Sequence, residues 1–264
     1  MNSHVVAYAN THVAAKMHRD RGIHIAVTEG HARICLLGDP RLVVAEALLE
    51  IRPPLAFQVL VALALSRPRT VSRAEVARTL FPGVDPKERR AQLRIVLGHL
   101  RRRLEAASVV SIYGESGSDI SLDEAVELDT FELLSGEPIS LDRLTAYSKP
   151  VLVGCNSRFA EKCRGLVKNA VEASLPAALS TCGTVPELWS VAPILGQLLT
   201  LYPLSATICG YRVADLKRLH LFEEAISEIS DFETEWLENY GAQDKPDIDQ
   251  IVDRIRLPIE VAIS

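Results

Sequence analysis

Cysteine is scarce in this 264-residue chain and badly spaced for chemistry: Cys35, Cys155, Cys163, Cys182 and Cys209 are scattered, with no C-x-x-C pair. An odd, dispersed set argues against a disulfide framework and against a structural zinc site, and fits reduced thiols in a cytosolic protein. No run of about 18 apolar residues occurs, so no membrane-spanning helix is expected. The opening stretch MNSHVVAYANTHVAAKMHRDRG has no basic segment ahead of a continuous apolar core and does not read as a secretory signal. There is no G-x-x-x-x-G-K-[S/T] phosphate loop, no paired catalytic motif and no clustered metal-ligand set. The chain therefore reads as a non-enzyme with no cofactor and no metal. Five of the seven histidines (His4, His12, His18, His24 and His31) fall early, but no two of them are four apart, so they read as solvated side chains.

Charge is present but unevenly placed. The net formal charge is -5, yet residues 67–103 hold eleven Lys/Arg against three Asp/Glu, while residues 104–264 hold twelve against twenty-six. Fields act locally under physiological salt, so a basic block inside an acidic chain says more than the total. Its centre is KERRAQLRIVLGHLRRRL at 87–104, with seven basic side chains and one acid.

Around that block the periodicities are legible. Short strands are expected at 24–29, 32–37, 42–45 and 48–51, separated by turn signals at Glu29-Gly30 and Gly38-Asp39-Pro40. RPPLAFQVLVALALSRP opens with prolines suited to a helix start, is apolar nearly all round at 55–65, and so predicts a buried central helix. Thr70-Val71 suits a strand rung. Ser72 with Glu75 makes a capping box for a second helix that Pro82-Gly83 stops.

The third helix is expected over 86–106. At 100° per residue, Leu93, Leu97, Leu100 and Leu104 form one stripe, with Val96 at its edge. Lys87, Arg90, Arg94, Gly98 and Arg101 form another. A solvated charged face would carry interleaved acids at i,i+4, and these are missing. Gly98 costs a helix interior roughly 1 kcal/mol relative to alanine, which suits a backbone that must approach a ligand closely. Duplex phosphate is the partner this face fits.

SVVSIYGESGSDISL then reads as a hairpin, with strands at 109–113 and 120–122. Three helices and a hairpin make a winged helix-turn-helix, whose third helix enters the major groove and whose wing meets neighbouring phosphate. Arg73, Tyr113 and Ser116 are the further backbone-contact candidates. Past Gly136–Pro138, read as a linker, helices are expected at 156–179, 186–201, 204–219 and 222–240, in a tetratricopeptide-like arrangement. The fold class is thus an α+β winged helix followed by an all-α helical domain, divided as 1–23 (extension), 24–134 and 135–264.

Several stretches in this order resemble the Streptomyces antibiotic regulatory protein (SARP) family, over roughly 32–242. ARICLLGDPRLVV resembles its opening strands, VSRAEVARTLFP its second helix and RRAQLRIVLGHLRRRL its recognition helix. LDTFELL resembles the junction, AYSKPVLVGCNSRFAEKCRGL the start of the second domain, and YPLSATICGYRVADLKRLHLFEEAISEISDFETEWLENYG the last helical hairpin. Phe81 stands where the family usually has tryptophan. The resemblance implies an OmpR-type winged helix joined to a bacterial transcriptional activation domain in a bacterial cytoplasm. It implies direct-repeat promoter DNA, RNA polymerase and a homodimer on repeated sites as partners. The loop Phe81, Pro82, Gly83, Val84, Asp85 and Pro86 is the candidate polymerase surface. With no phosphate loop and too little chain ahead of the first strand for a receiver domain, control is expected through protein amount, a partner or a small ligand in the helical domain. The alternative from another class is an interaction scaffold whose winged helix binds protein.

Overall fold

The computed structural model describes residues 32–107, 109, 112–180, 182–242 and 244–255. The extension, its histidines and the strand expected at 24–29 lie outside the described residues. Strands β1 (Ala32–Cys35), β2 (Arg41–Val44) and β3 (Ala47–Leu49) form an antiparallel meander. A later strand, β7 (Glu127–Leu128), adds to β1 in parallel, giving the order β3-β2-β1-β7. This sheet turns Ile34, Leu42 and Val44 into the core.

Helix α1 (Pro54–Leu65) is buried continuously from Ala56 to Ala64. It has no polar face because neighbours cover it all round, as its unbroken apolar sequence requires. Strand β4 (Thr70–Ser72) leads into α2 (Arg73–Leu80), where Ser72 Oγ accepts from the Glu75 amide at 3.2 Å. Helix α3 (Pro86–Ala106) starts on Asp85, whose carboxylate accepts from the Lys87 and Glu88 amides. An aspartate N-cap followed by proline at the first helical position is a strong start signal. The three helices pack on one another, and α1 also rests on β6 (Asp119–Leu122) of the hairpin.

The hairpin differs from expectation. Its first strand is β5 (Tyr113–Ser116), not 109–113, and the turn falls at Gly117-Ser118, with Gly117 at φ +55°. Gly114, Glu115 and Ser116 are poor strand formers and read as loop. They are extended because β6 pairs with them, and a Cβ on Gly114 would lie only 2.7 Å from Ser121 Oγ. With β4 the hairpin makes a second sheet, β4-β6-β5.

The expected linker is a left-handed Gly136 that ends a short helix, α4 (Phe131–Ser135), ahead of α5 (Leu141–Ala146). Beyond these lie α6 (Arg158–Leu179), α7 (Val185–Leu201), α8 (Ala206–Arg218), α9 (Phe222–Tyr240) and α10 (Ile248–Arg254). The four long helices fall within three residues of their expected bounds; the short α4, α5 and α10 carried too little pattern to be anticipated. Helix α8 packs against α7, α9 and α10. One hydrophobic core runs from Ala32 through the three winged-helix helices to Tyr211, and a smaller one gathers Cys209, Val213, Phe232 and Ile248. The architecture is the expected one: a β-rich winged helix-turn-helix, then an all-helical part.

Candidate nucleic-acid interface

Helix α3 divides as its sequence period requires. Leu93, Val96, Leu97, Leu100 and Leu104 are buried. The side chains of Lys87, Arg90 and Arg94 are exposed on the other side and make no hydrogen bond or ion pair with any described residue. The remaining basic side chains of the block are occupied. Arg89 donates to the Val84 carbonyl, Arg102 to the Gly98 carbonyl, and Arg103 to the Glu50 carbonyl at 2.9 Å, tying α3 to the first sheet. Seven basic residues in sequence thus become three cations on one exposed face with no partner among the described residues.

Gly98 lies on that face with open space where a Cβ would stand. The packing of the protein itself therefore places no demand for glycine there.

Arg101 and Arg73 are held differently. Arg101 Nη2 donates to Glu115 Oε1 at 2.6 Å, Tyr113 Oη donates to the same oxygen at 2.9 Å, and Arg73 pairs with Glu115 Oε2. One carboxylate in the wing therefore joins the start of α2, the face of α3 and strand β5. The Glu115 side chain is 12% exposed, against 53% for that of Arg101. Burial alone would raise the Glu115 pKa; the hydrogen bonds from Arg101 and Tyr113, with the charge of Arg73, outweigh it and hold the carboxyl below its ordinary value. Burial pushes the Tyr113 phenol up, reinforced by its bond to Glu115, so it stays neutral and donating. Ser116 is exposed at the wing tip.

Sequence reasoning missed Glu115. The available signal was an acid inside a wing assigned to phosphate: such an acid repels DNA unless cations from elsewhere neutralise it. In the 81–86 loop, Phe81 is buried and belongs to the core, Val84 is half-buried, and Pro82, Gly83, Asp85 and Pro86 are exposed. Among the described residues there is no group of three or more potential metal ligands and no helix long and apolar enough to cross a membrane.

No protein-family model and no curated protein sequence matches the chain. Among solved structures, that of Mycobacterium tuberculosis EmbR in complex with a low-affinity phosphopeptide is similar, with a TM-score of 0.58 at 17% identity. The likeness covers 88% of this chain and 67% of EmbR. The SARP resemblance read from the sequence is thus borne out at the level of architecture, and the chain has the fold of EmbR: a winged helix-turn-helix followed by an all-helical region.

Proposed function

We propose that this protein is a sequence-specific DNA-binding transcriptional regulator, an activator of the SARP kind. The observation that carries the reading is the set of three exposed, unpartnered cations, Lys87, Arg90 and Arg94, on a helix of winged-helix architecture whose opposite face is buried leucine. In this reading α3 enters the major groove, with phosphate contacts supplying affinity and one or two arginines reading bases. Gly98 lets the helix backbone come close. Arg73, Arg101, Tyr113 and Ser116 set the wing against flanking phosphate, with Glu115 fixing their positions. Function divides near residue 134: 24–134 hold DNA, and 135–264 serve activation and the pairing of subunits on direct repeats. The exposed loop residues Pro82, Gly83, Asp85 and Pro86 face RNA polymerase, and the protein works in a bacterial cytoplasm.

The test is selection of bound duplexes from a random pool with the full chain, followed by titration of the winner at several salt concentrations. Expected are an enriched repeated motif and an affinity that falls steeply with salt. A pool that yields no motif, with no retention of any duplex at low salt, overturns the reading. That result would favour the scaffold alternative, which draws on the exposed Phe222, Ile226, Leu237 and Tyr240 of α9.

A further inference from the structure

A cleft of about 850 Å³ lies away from the α3 face, between the first sheet, the approach to β4 and the α4–α5 region. None of its lining residues belongs to α2, α3 or the hairpin. Its volume falls within the range of small-molecule sites, roughly 300–1,000 Å³. Six of its sixteen lining residues are basic and four acidic.

The acids are already engaged. Glu132 pairs with Arg143 at 2.7 Å, and Glu124 lies 3.6 Å from Arg69. Asp129 accepts from the amides of Leu36 and Leu37, at 2.9 and 3.0 Å, and Glu127 has a partner as well. Arg33 on β1, Arg41 on β2 and Lys149 after α5 are exposed, and none forms an ion pair with a described carboxylate. Arg69 is a fixed charge in the wall. It is 5% exposed, its Nη1 is held by three carbonyls of the 123–126 turn, and its Nε is buried with no hydrogen-bond partner. Arg67 is held by the Ala64 and Ser66 carbonyls and lies over the Phe131 ring, Arg41 bonds Cys35, and Arg33 and Arg41 act on the buried Asp129, yet six basic side chains against four acids leave the lining with an excess of positive charge.

We infer that this cleft binds a small polyanion of the oligophosphate or polycarboxylate kind, gripped between Arg33 and Arg41 on the sheet and Lys149 beyond α5, with Arg69 behind it. A ligand with several negative groups is implied because the cations come from three separate segments, and a single charge cannot reach them all. Guanidinium groups suit both chemistries through paired N–H donation. Bound there, the ligand would clamp the winged helix to the segment that leads into the long helices, which is a position for an effector. This inference does not rest on the DNA reading.

The test is calorimetric titration and thermal melting of the full chain with pyrophosphate and, separately, citrate, at ionic strength matched with chloride. Expected is saturable one-site binding of at least one of them with a raised melting temperature. It should weaken by about tenfold or more in the Arg41→Ala/Lys149→Ala double variant and stay unchanged in Arg94→Ala. Which of the two anions binds identifies the ligand class. Should the double variant fail to fold, Lys149→Glu alone should abolish binding. The proposal is overturned if neither anion saturates, if binding survives the cleft substitutions, or if Arg94→Ala removes it, which would place the anion on the α3 face.

Discussion

Arg101 of α3 donates to Glu115 of the wing at 2.6 Å, so this arginine of the exposed α3 face is paired within the protein, through a carboxylate it shares with Arg73. Glu115→Gln keeps the shape and removes the charge. About 1 kcal/mol of stability should be lost from weakened charge-assisted bonds. Non-specific duplex affinity should rise, with a steeper salt slope, because Arg73 and Arg101 become available to phosphate. A melting point that falls while duplex affinity and salt slope stay fixed would leave Glu115 with a structural role alone.

Arg94→Ala should weaken duplex binding and leave circular dichroism and melting unchanged, since Arg94 has no described partner. The loss should be about 1–3 kcal/mol and confined to one base position if Arg94 reads guanine, or uniform across sequences with a salt slope lower by about one if it meets phosphate.

Leu97→Ala acts through the core instead. Leu97 is 2% exposed, and truncating such a leucine costs roughly 2–5 kcal/mol. Binding should fall in proportion to the melting temperature. Lost binding in a variant as stable as the parent would contradict the assignment of this face.

Gly98→Ala separates stability from function. The added methyl meets open space, so the helix should gain roughly 1 kcal/mol. Duplex affinity should nonetheless drop if the backbone at Gly98 closes on DNA. Equal or better affinity would remove Gly98 from the contact surface.

Two carboxylates give opposite pH signatures. Asp215 of α8 is 2% exposed with a buried, unpartnered Oδ2, and burial raises its pKa to about 6 against the pull of Arg212 and Arg218. The folded state thus binds this proton more tightly than the unfolded chain, so stability from this group is greatest near pH 4 and declines as pH rises to about 6. Asp215→Asn should remove that decline and raise the melting temperature at neutral pH. Glu115 runs the other way: its pKa is lowered, so its contribution is present at neutral pH and lost on acidification below the ordinary carboxylate range. Melting curves of the two variants from pH 3 to 8 should diverge with these signs.

The sequence was most legible where one local signal agreed with another. Helix α3 carries an aspartate cap, a proline at its first position, a leucine stripe and an arginine stripe, and its bounds follow directly. The hairpin register was not legible because Gly114 to Ser116 have no strand preference of their own; pairing with β6 imposes it. The Glu115 cluster joins residues 73, 101, 113 and 115, and the cleft joins residues 33 to 149, so no window of sequence contains either. Periodicity reports which face of an element is wet, but which arginine on that face is already paired is decided by tertiary contact.

The first sheet carries one more consequence, for anyone cutting the gene. Past Cys35 the chain continues as an extended segment whose edge is covered by residues 150–153. Gly38 N–H donates to the Pro150 carbonyl at 2.7 Å, Leu152 N–H to the Leu36 carbonyl at 2.8 Å, and Leu37 bridges Val151. A winged helix truncated at Leu134 would leave those backbone groups bare beside the apolar side chains of Leu36 and Leu37. Such an open strand edge recruits another copy of itself. The smallest unit that keeps its edges sealed extends at least to Val153, some way into what the linker-like Gly136–Pro138 suggests is a separate module.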